Sequence, residues 1–375
     1  MINSTENSRL YYLDWLRVIA FGLLVFYHTG LMFVDWGFHI QNNEFSESLK
    51  FPMLFLNQWR LPLLFLVSGA GVRFALGRKS KREFAKERFT RLFIPLVFGM
   101  AFIIPPQLYY EQLNNHSIDV SYFEYFPTYF RLETVTWKHL WFVIYLFTFT
   151  FLSLPLFMYL RSSKGTELMA KFISFFTKGK GRILILVLPL FITELFLRNS
   201  WPDNRNLVTD WYNFTFYIII FIYGFIIASG KSLWPLFEKE RFIYLACGII
   251  SFLMIFLGWH QPEINFLETS EAGVLIFSFF KCLNIISWIL SGLGFARHYL
   301  NFGNEFLSYA NRAVFPFFIL HQTVLTIVGY YIIQYNWSIA VKYSLIVIGT
   351  FFFTILIYEL LIRRIKPSWI LFGLK

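Results

Sequence analysis

Apolar runs long enough to cross a bilayer recur ten times along this 375-residue chain. They lie at about 15–34, 52–76, 91–108, 139–160, 182–198, 213–230, 241–258, 273–296, 312–333 and 340–362, the third and fifth being short. No connection between them reads as a soluble domain. The pattern predicts an all-α fold: a polytopic membrane helical bundle of about ten transmembrane helices, one domain over residues 1–375. The first run is too long for the core of a cleaved signal peptide and reads as a retained anchor. The connection from Tyr109 to Lys138 is rich in Tyr and Phe and is placed at the membrane interface. The patch LMAKFISFF, within Lys164 to Arg182, reads as an amphipathic interfacial helix.

Composition agrees with the runs. The chain is 57% hydrophobic and 15% charged, with mean hydropathy +0.55, more apolar surface than a soluble fold of this size can hide. The net charge of +11 does not point to nucleic acid, because of where it falls. Of the 33 Lys and Arg residues, 23 lie at Arg9, in alternate connections and in the tail after Ile362. The other connections hold only Lys50, Arg131, Lys138, Arg198 and Arg205, with the acids Asp35, Glu44, Glu47, Glu111, Asp119, Glu124, Glu133, Glu263, Glu268 and Glu271. By the positive-inside rule both termini are cytoplasmic. Cys247 and Cys282 both sit in apolar runs, so no disulfide framework or cysteine zinc site is readable.

Polar residues inside the runs carry the chemistry, since ionisable groups at membrane depth are costly and are usually paired or functional. Arg17 and His28 share the first run. Eleven residues at about 100° each end about 20° past three full turns, so both lie on one helix face, about 16 Å apart. With Arg17 at the cytoplasmic level lie Arg73, Arg88 and Arg91. Such guanidinium groups suit a polyanion, because arginine gives forked hydrogen bonds to phosphate. The competing reading is a solvated inner loop with snorkelling side chains. His28 sits below the outer end of its run, where it serves either catalysis or a helix-to-helix hydrogen bond. His321 falls mid-run and His139 at an outer mouth. Without an acidic ligand cluster these histidines argue against a metal. Arg60, Glu111 and Glu194 lie toward the outside, where each could orient an imidazole or an acceptor; for Glu194 the simpler reading is an ion pair with Arg198, four residues on. Trp141 belongs with Trp36, Trp59, Trp137 and Trp211 at outer ends, as interfacial belt or as sugar platform. The small stretch Ser68–Gly69–Ala70–Gly71 permits either close helix approach or a slender ligand. Neither a phosphate-binding loop nor a G-x-S-x-G elbow is present.

Taken in order, YLDWLRVIAFGLLVFYHTG, WRLPLLFLVSGAGVRFALG, ERFTRLFIPLVFGM running on to IPPQLYYEQL, KHLWFVIYL and PFFILHQTV resemble the acyltransferase family 3 membrane enzymes. The likeness is densest from Tyr11 to Leu113 and is closest to the family's glucan-modifying branch, whose members transfer succinyl groups. It implies an enzyme moving an acyl group (acetyl or succinyl) from cytoplasmic acyl-CoA to a hydroxyl of a periplasmic or extracellular carbohydrate. The family's catalytic histidine falls on His28, as base or as acyl carrier, its essential first-helix arginine on Arg17, and its R-x-x-R element on Arg88 and Arg91. Arg73 joins these as a donor-phosphate ligand. Arg60, Glu111, His139, Trp141, Glu194 and His321 are left as acceptor or supporting residues, with Arg60 and tryptophan N–H groups as oxyanion donors by location. The resemblance implies a bacterial inner-membrane setting, acyl-CoA as donor substrate, no permanently bound cofactor and no metal. Its partners are a carbohydrate and the bilayer, with self-association left open. The extracellular hydrolase-like module of larger members is absent from this sequence. No residue reads as a sensor of an acyl carboxylate. The competing class is a transporter or flippase of an amphiphilic glycan or lipid intermediate, which buried charges and ten spans also fit.

Overall fold

The computed structural model describes residues 9–131, 134–201, 203–260 and 270–374. The acids Glu133, Glu263 and Glu268 and the terminal Lys375 lie outside the described residues. Every described regular element is helical. This follows from the apolar runs, because only an intra-segment hydrogen-bond ladder satisfies backbone groups in lipid without closing a barrel. In chain order the principal helices are α1 Tyr11–Leu31, α2 Glu47–Leu76, α3 Lys81–Asn114, α4 Tyr122–Tyr129, α5 Lys138–Leu152, α6 Leu154–Leu160 and α7 Ser163–Thr177. There follow α8 Val187–Leu197, α9 Trp211–Ser229, α10 Leu233–His260, α11 Glu271–Tyr299, α12 Glu305–Ile333, α13 Ile339–Ile362 and α14 Lys366–Leu371.

Each of the ten apolar runs is helical, but not all qualify as spans. Among the described residues seven helices are long and apolar enough to cross a membrane, and α5 with α6, bent by 48°, is either a broken eighth span or a re-entrant loop. The bend lies where Pro155 follows Ser153. The expected first span, 15–34, is α1, whose apolarity is diluted by Asp14, Arg17 and His28. The expected fifth, 182–198, is a 3-10 turn at Arg182–Leu186 leading into the 11-residue α8, too short by itself. The patch predicted as an amphipathic helix is α7, which buries Met169 and Phe176 and exposes Leu168, Phe172 and Phe175.

α1 is the hub of the bundle. It packs against α2, α11, α12 and α13. Around it α2 pairs with α9, α10 with α11, and α12 with α13. The α2–α9 approach is backbone to backbone. A Cβ on Gly69 would collide with the Phe221 carbonyl, and one on Gly224 with the Leu66 carbonyl. Helix α3 starts with a capping box, in which Ser80 Oγ accepts from the Glu83 backbone N–H and Glu83 accepts from the Ser80 N–H. Two π-helical turns follow, Phe89–Phe93 and Gly99–Ile103. Each precedes a proline (Pro95, then Pro105 and Pro106) whose missing N–H frees a carbonyl one turn earlier, relaxing the α ladder.

The buried ion pair of α8 is not local. Glu194 takes a bond of 2.6 Å from Lys281 Nζ on α11 and another from the Tyr212 hydroxyl, whereas Arg198 stacks over the Tyr212 ring at 5.0 Å. The expected Glu194–Arg198 pair does not form, because Lys281 lies in the core where α8, α9 and α11 meet and would otherwise lack a counter-charge. Replacing Lys281 with Met strands a carboxylate that is 6% exposed, and is expected to cost about 3–5 kcal/mol. Adding Glu194→Gln should recover most of that in thermal unfolding of the detergent-solubilised protein. A double variant no more stable than Lys281→Met would show that packing, not charge, dominates.

Candidate active site

One end of the bundle holds a cavity of about 1330 Å³. Its lining includes six arginines: Arg9, Arg17, Arg88, Arg91, Arg312 and Arg363. They come from the chain start, α1, α3, α12 and α13 or its end, so the fold gathers basic segments that are far apart in sequence. Glu305 is the only carboxylate among the lining residues. Arg17 Nη1 donates to Asn311 Oδ1 at 3.0 Å and more weakly to Asp14 Oδ1 at 3.4 Å, while Asn311 Nδ2 donates to the same Asp14 oxygen at 3.0 Å. Arg17 therefore faces a protein-lined cavity and is fixed there by two residues of matched polarity. Arg91 Nε donates to the Gly373 carbonyl at 3.0 Å, tying α3 to the C-terminal segment. Arg88 lies over Phe84 and its buried Nε has no partner. Arg73 is elsewhere: its Nε donates to Ser229 Oγ at 3.0 Å, and it is not among the lining residues.

The small stretch of α2 packs on one face and lines the cavity on another. Gly69 makes the close approach to α9. Ser68 and Gly71 line the cavity, and a Cβ on Gly71 would meet only Arg17 Nη2, at 3.9 Å. Gly71→Leu is therefore expected to intrude on the cavity and lower activity while the protein still folds. Gly69→Val is expected to reduce the folded yield instead. Size-exclusion profiles with an acyl-transfer assay separate the two, and equal behaviour would remove the distinction.

Phe21, Leu64 and Phe142 form part of the apolar lining of the cavity. Phe21 and Phe142 both pack on Phe318, with centroids 5.4 and 5.5 Å away. Beyond this aromatic partition lie three histidines. The His321 ring is 5.5 Å from His28, 5.6 Å from His139 and 5.5 Å from Phe318. His139, expected at an outer mouth, is instead buried in the 3-10 turn opening α5. Its Nε2–H donates to the Ile319 carbonyl at 3.0 Å, and its Nδ1 faces the Gln107 side-chain amide at 3.0 Å. It thus joins α3, α5 and α12. His321 Nδ1–H donates to the Phe318 carbonyl at 2.6 Å, leaving Nε2 buried without a partner. His28 Nδ1 is likewise buried without a partner. Phe38, from the segment after α1, stacks on the His28 ring at 5.7 Å and covers it. Among the described residues no group of three His, Cys, Asp or Glu is arranged to hold a metal ion.

Arg60 adjoins this centre. Only 2% exposed, it lies 3.8 Å from the centroid of Tyr27, the neighbour of His28. Its Nε and Nη1 have no partner. A sealed cation with free N–H groups beside an imidazole is poised to meet negative charge. Tyr27 is held in turn by its hydroxyl, which donates to Asn57 Oδ1 at 2.9 Å. Asn57 opens onto a second, polar cavity of about 280 Å³ that Tyr212, Asn213, Tyr217 and Lys281 also line.

Two residues expected at the site do other work. Glu111 binds His39 Nδ1 at 2.8 Å and Lys138 Nζ at 3.1 Å, so the imidazole it orients is His39 rather than His28. Trp141 is buried against Tyr145 and Tyr217, with the Arg205 guanidinium 5.5 Å over its ring. The sequence reading missed Asn311, Gln107, Phe318, Asn57 and Lys281. Asn311, Asn57 and Lys281 are polar residues in or at the ends of apolar runs, which was the signal available for them.

A basic cavity and, beyond a set of aromatic rings, an imidazole cluster lie inside a bundle of apolar helices, the architecture of a multi-pass membrane protein. Residues 10–359 match the family model described as "Acyltransferase domain", and the chain belongs to this family, acyltransferase family 3. It is an acyltransferase, which sets aside the transporter class. Relatives named Glucans biosynthesis protein C, from Escherichia coli (strain K12) and Shigella dysenteriae serotype 1 (strain Sd197), are each 21% identical over 96% of this chain and 94% of their own length. No solved structure matches the chain.

Proposed function

We propose that the protein is an integral membrane O-acyltransferase that carries an acyl group from cytoplasmic acyl-CoA to a hydroxyl of a carbohydrate on the far side of the bacterial inner membrane. The observation that carries this reading is the arginine-lined cavity ending at the aromatic partition below His28 and His321. Its mouth suits the phosphates of coenzyme A, its apolar lining suits the pantetheine arm, and the distance of about 16 Å between Arg17 and His28 is within that arm's reach. Ten crossings with both termini cytoplasmic fit the loop charges and put the arginines on the acyl-CoA side. The glucan named in the relatives' titles favours a sugar acceptor, and the amide- and hydroxyl-lined cavity beside Asn57 offers sugar hydroxyls suitable partners.

In this reading His28 Nε2 removes the acceptor hydroxyl proton as the oxygen attacks the thioester carbon. Arg60 faces the oxyanion of the tetrahedral intermediate. The C–S bond then breaks, and His28 returns the proton to the departing thiolate, leaving ester and free coenzyme A. Phe21, Phe142 and Phe318 must turn aside for the thioester to arrive. The purified protein, given labelled acetyl-CoA or succinyl-CoA and extracted envelope glycans, is expected to label the glycan with one of them. Failure with both donors, in protein shown to be folded, would sink the acyl-CoA assignment.

A further inference from the structure

Among the described residues His28 has no carboxylate to orient it. The charged and titratable groups acting on it are His321, Arg60, His139 and Arg205. The outer carboxylate Glu111 is engaged by His39 and Lys138. Yet a general base must present one ring nitrogen as a lone pair to the acceptor, and which nitrogen does so is set by the hydrogen bond the other makes. His28 Nδ1 is buried and needs an acceptor. His139 cannot supply one, since both its nitrogens are engaged. Arg60 has only donors. His321 can. Its Nδ1–H is committed to the Phe318 carbonyl at 2.6 Å, which in the neutral ring makes Nε2 a lone pair, and that nitrogen is buried and unpartnered. The two vacant nitrogens are therefore complementary, one a donor and one an acceptor.

Their spacing agrees. Two imidazoles joined by an N–H···N bond of about 3 Å have centroids about 5 Å apart. The His28 and His321 centroids are 5.5 Å apart with planes inclined at 37°, a separation at which the bond forms once the two vacant nitrogens turn toward each other. We propose that His321 is the positioning residue of the reaction: its Nε2 accepts from His28 Nδ1–H and so holds His28 Nε2 as the lone pair that faces the acceptor. A neutral histidine takes the place of the usual carboxylate. The resulting chain runs from acceptor hydroxyl to His28, to His321, to the Phe318 carbonyl. Only the acceptor proton moves, to His28 Nε2 and on to the thiolate. The chain also couples donor entry to catalysis, because Phe318 belongs to the partition the thioester must pass.

This inference rests on His28 being the base, so the test carries His28→Ala alongside. His321→Gln can place an amide oxygen where Nε2 stood; His321→Leu keeps the bulk and removes the acceptor. Transfer from the labelled acyl-CoA that the wild type uses, to extracted envelope glycans, is measured for each. The Leu variant is expected to lose at least about 10²-fold in kcat with KM for acyl-CoA nearly unchanged, and the Gln variant to stay within about 10-fold of wild type. Wild-type kcat in the Leu variant, with His28→Ala inactive, would overturn the role of His321 and leave His28 standing. Equal losses in both variants would mark His321 as structural and overturn it too. Activity in His28→Ala would instead remove the reading on which the inference rests.

Discussion

His28→Ala is expected to abolish acyl transfer while leaving the protein folded, inserted and able to bind its donor. An alcohol near pKa 15 is a poor nucleophile at neutral pH, and a positioned base contributes about 10²–10⁴-fold. The loss should exceed that range if His28 also excludes water from the thioester. The structural side decides that the effect reads as chemistry. Among the described residues His28 makes no hydrogen bond that holds the fold: its Nδ1 is unpartnered, and its ring contacts are with Phe38, Tyr27 and His321. His139 supplies the contrast. Both its nitrogens are bonded, across three helices, so His139→Ala should lower the thermal midpoint markedly. Transfer and thermal unfolding measured together separate the two. Wild-type acylation by His28→Ala would end the catalytic assignment, and destabilisation as large as that of His139→Ala would leave its loss of activity unexplained by chemistry.

Most of the fold was legible because hydropathy alone dictates helices in lipid. The predicted runs and the observed helices coincide, and the shared face of Arg17 and His28 follows from helical period. What did not follow was anything depending on which helices meet. Lys281 lay in a run read as purely apolar, so Glu194 was given its neighbour Arg198, although the actual partner is 87 residues away. His139 was read at a mouth because KHLWF begins an apolar run, but a 3-10 turn carries it inward to Gln107 and Ile319. Among the described residues seven helices, or eight with the bent pair, qualify as spans by length and composition, against ten apolar runs, for a related reason. Hydropathy cannot tell a span from a short apolar helix such as α8, which is covered by α9 and α11. Arg60 was visible as a charge in an apolar run. Its lack of any counter-ion, which gives it chemical meaning, belongs to the packing.

Removing Arg88 and Arg91 together, as glutamines, is expected to raise KM for acyl-CoA by about 10²–10⁴-fold with a much smaller change in kcat. Each charge-assisted hydrogen bond is worth about 1.5–3 kcal/mol, and in the proposed reading the two guanidinium groups act on phosphates remote from the reacting carbon. Arg88 is the better placed, since its buried Nε is unpartnered and no bond is lost when it goes. Arg91 also holds the Gly373 carbonyl, so its removal loosens the C-terminal segment, and Arg91→Lys is the control that keeps charge without the forked geometry. Arg17 should contribute less, because Asp14 and Asn311 already occupy part of its donor capacity. The sharper measurement compares acyl-CoA with its 3′-dephospho form. Wild type should prefer the complete nucleotide, and the double variant should lose that preference. A double variant with unchanged KM and unchanged preference would move the phosphates away from this cavity. The basic end of the bundle would then owe its six arginines to topology alone.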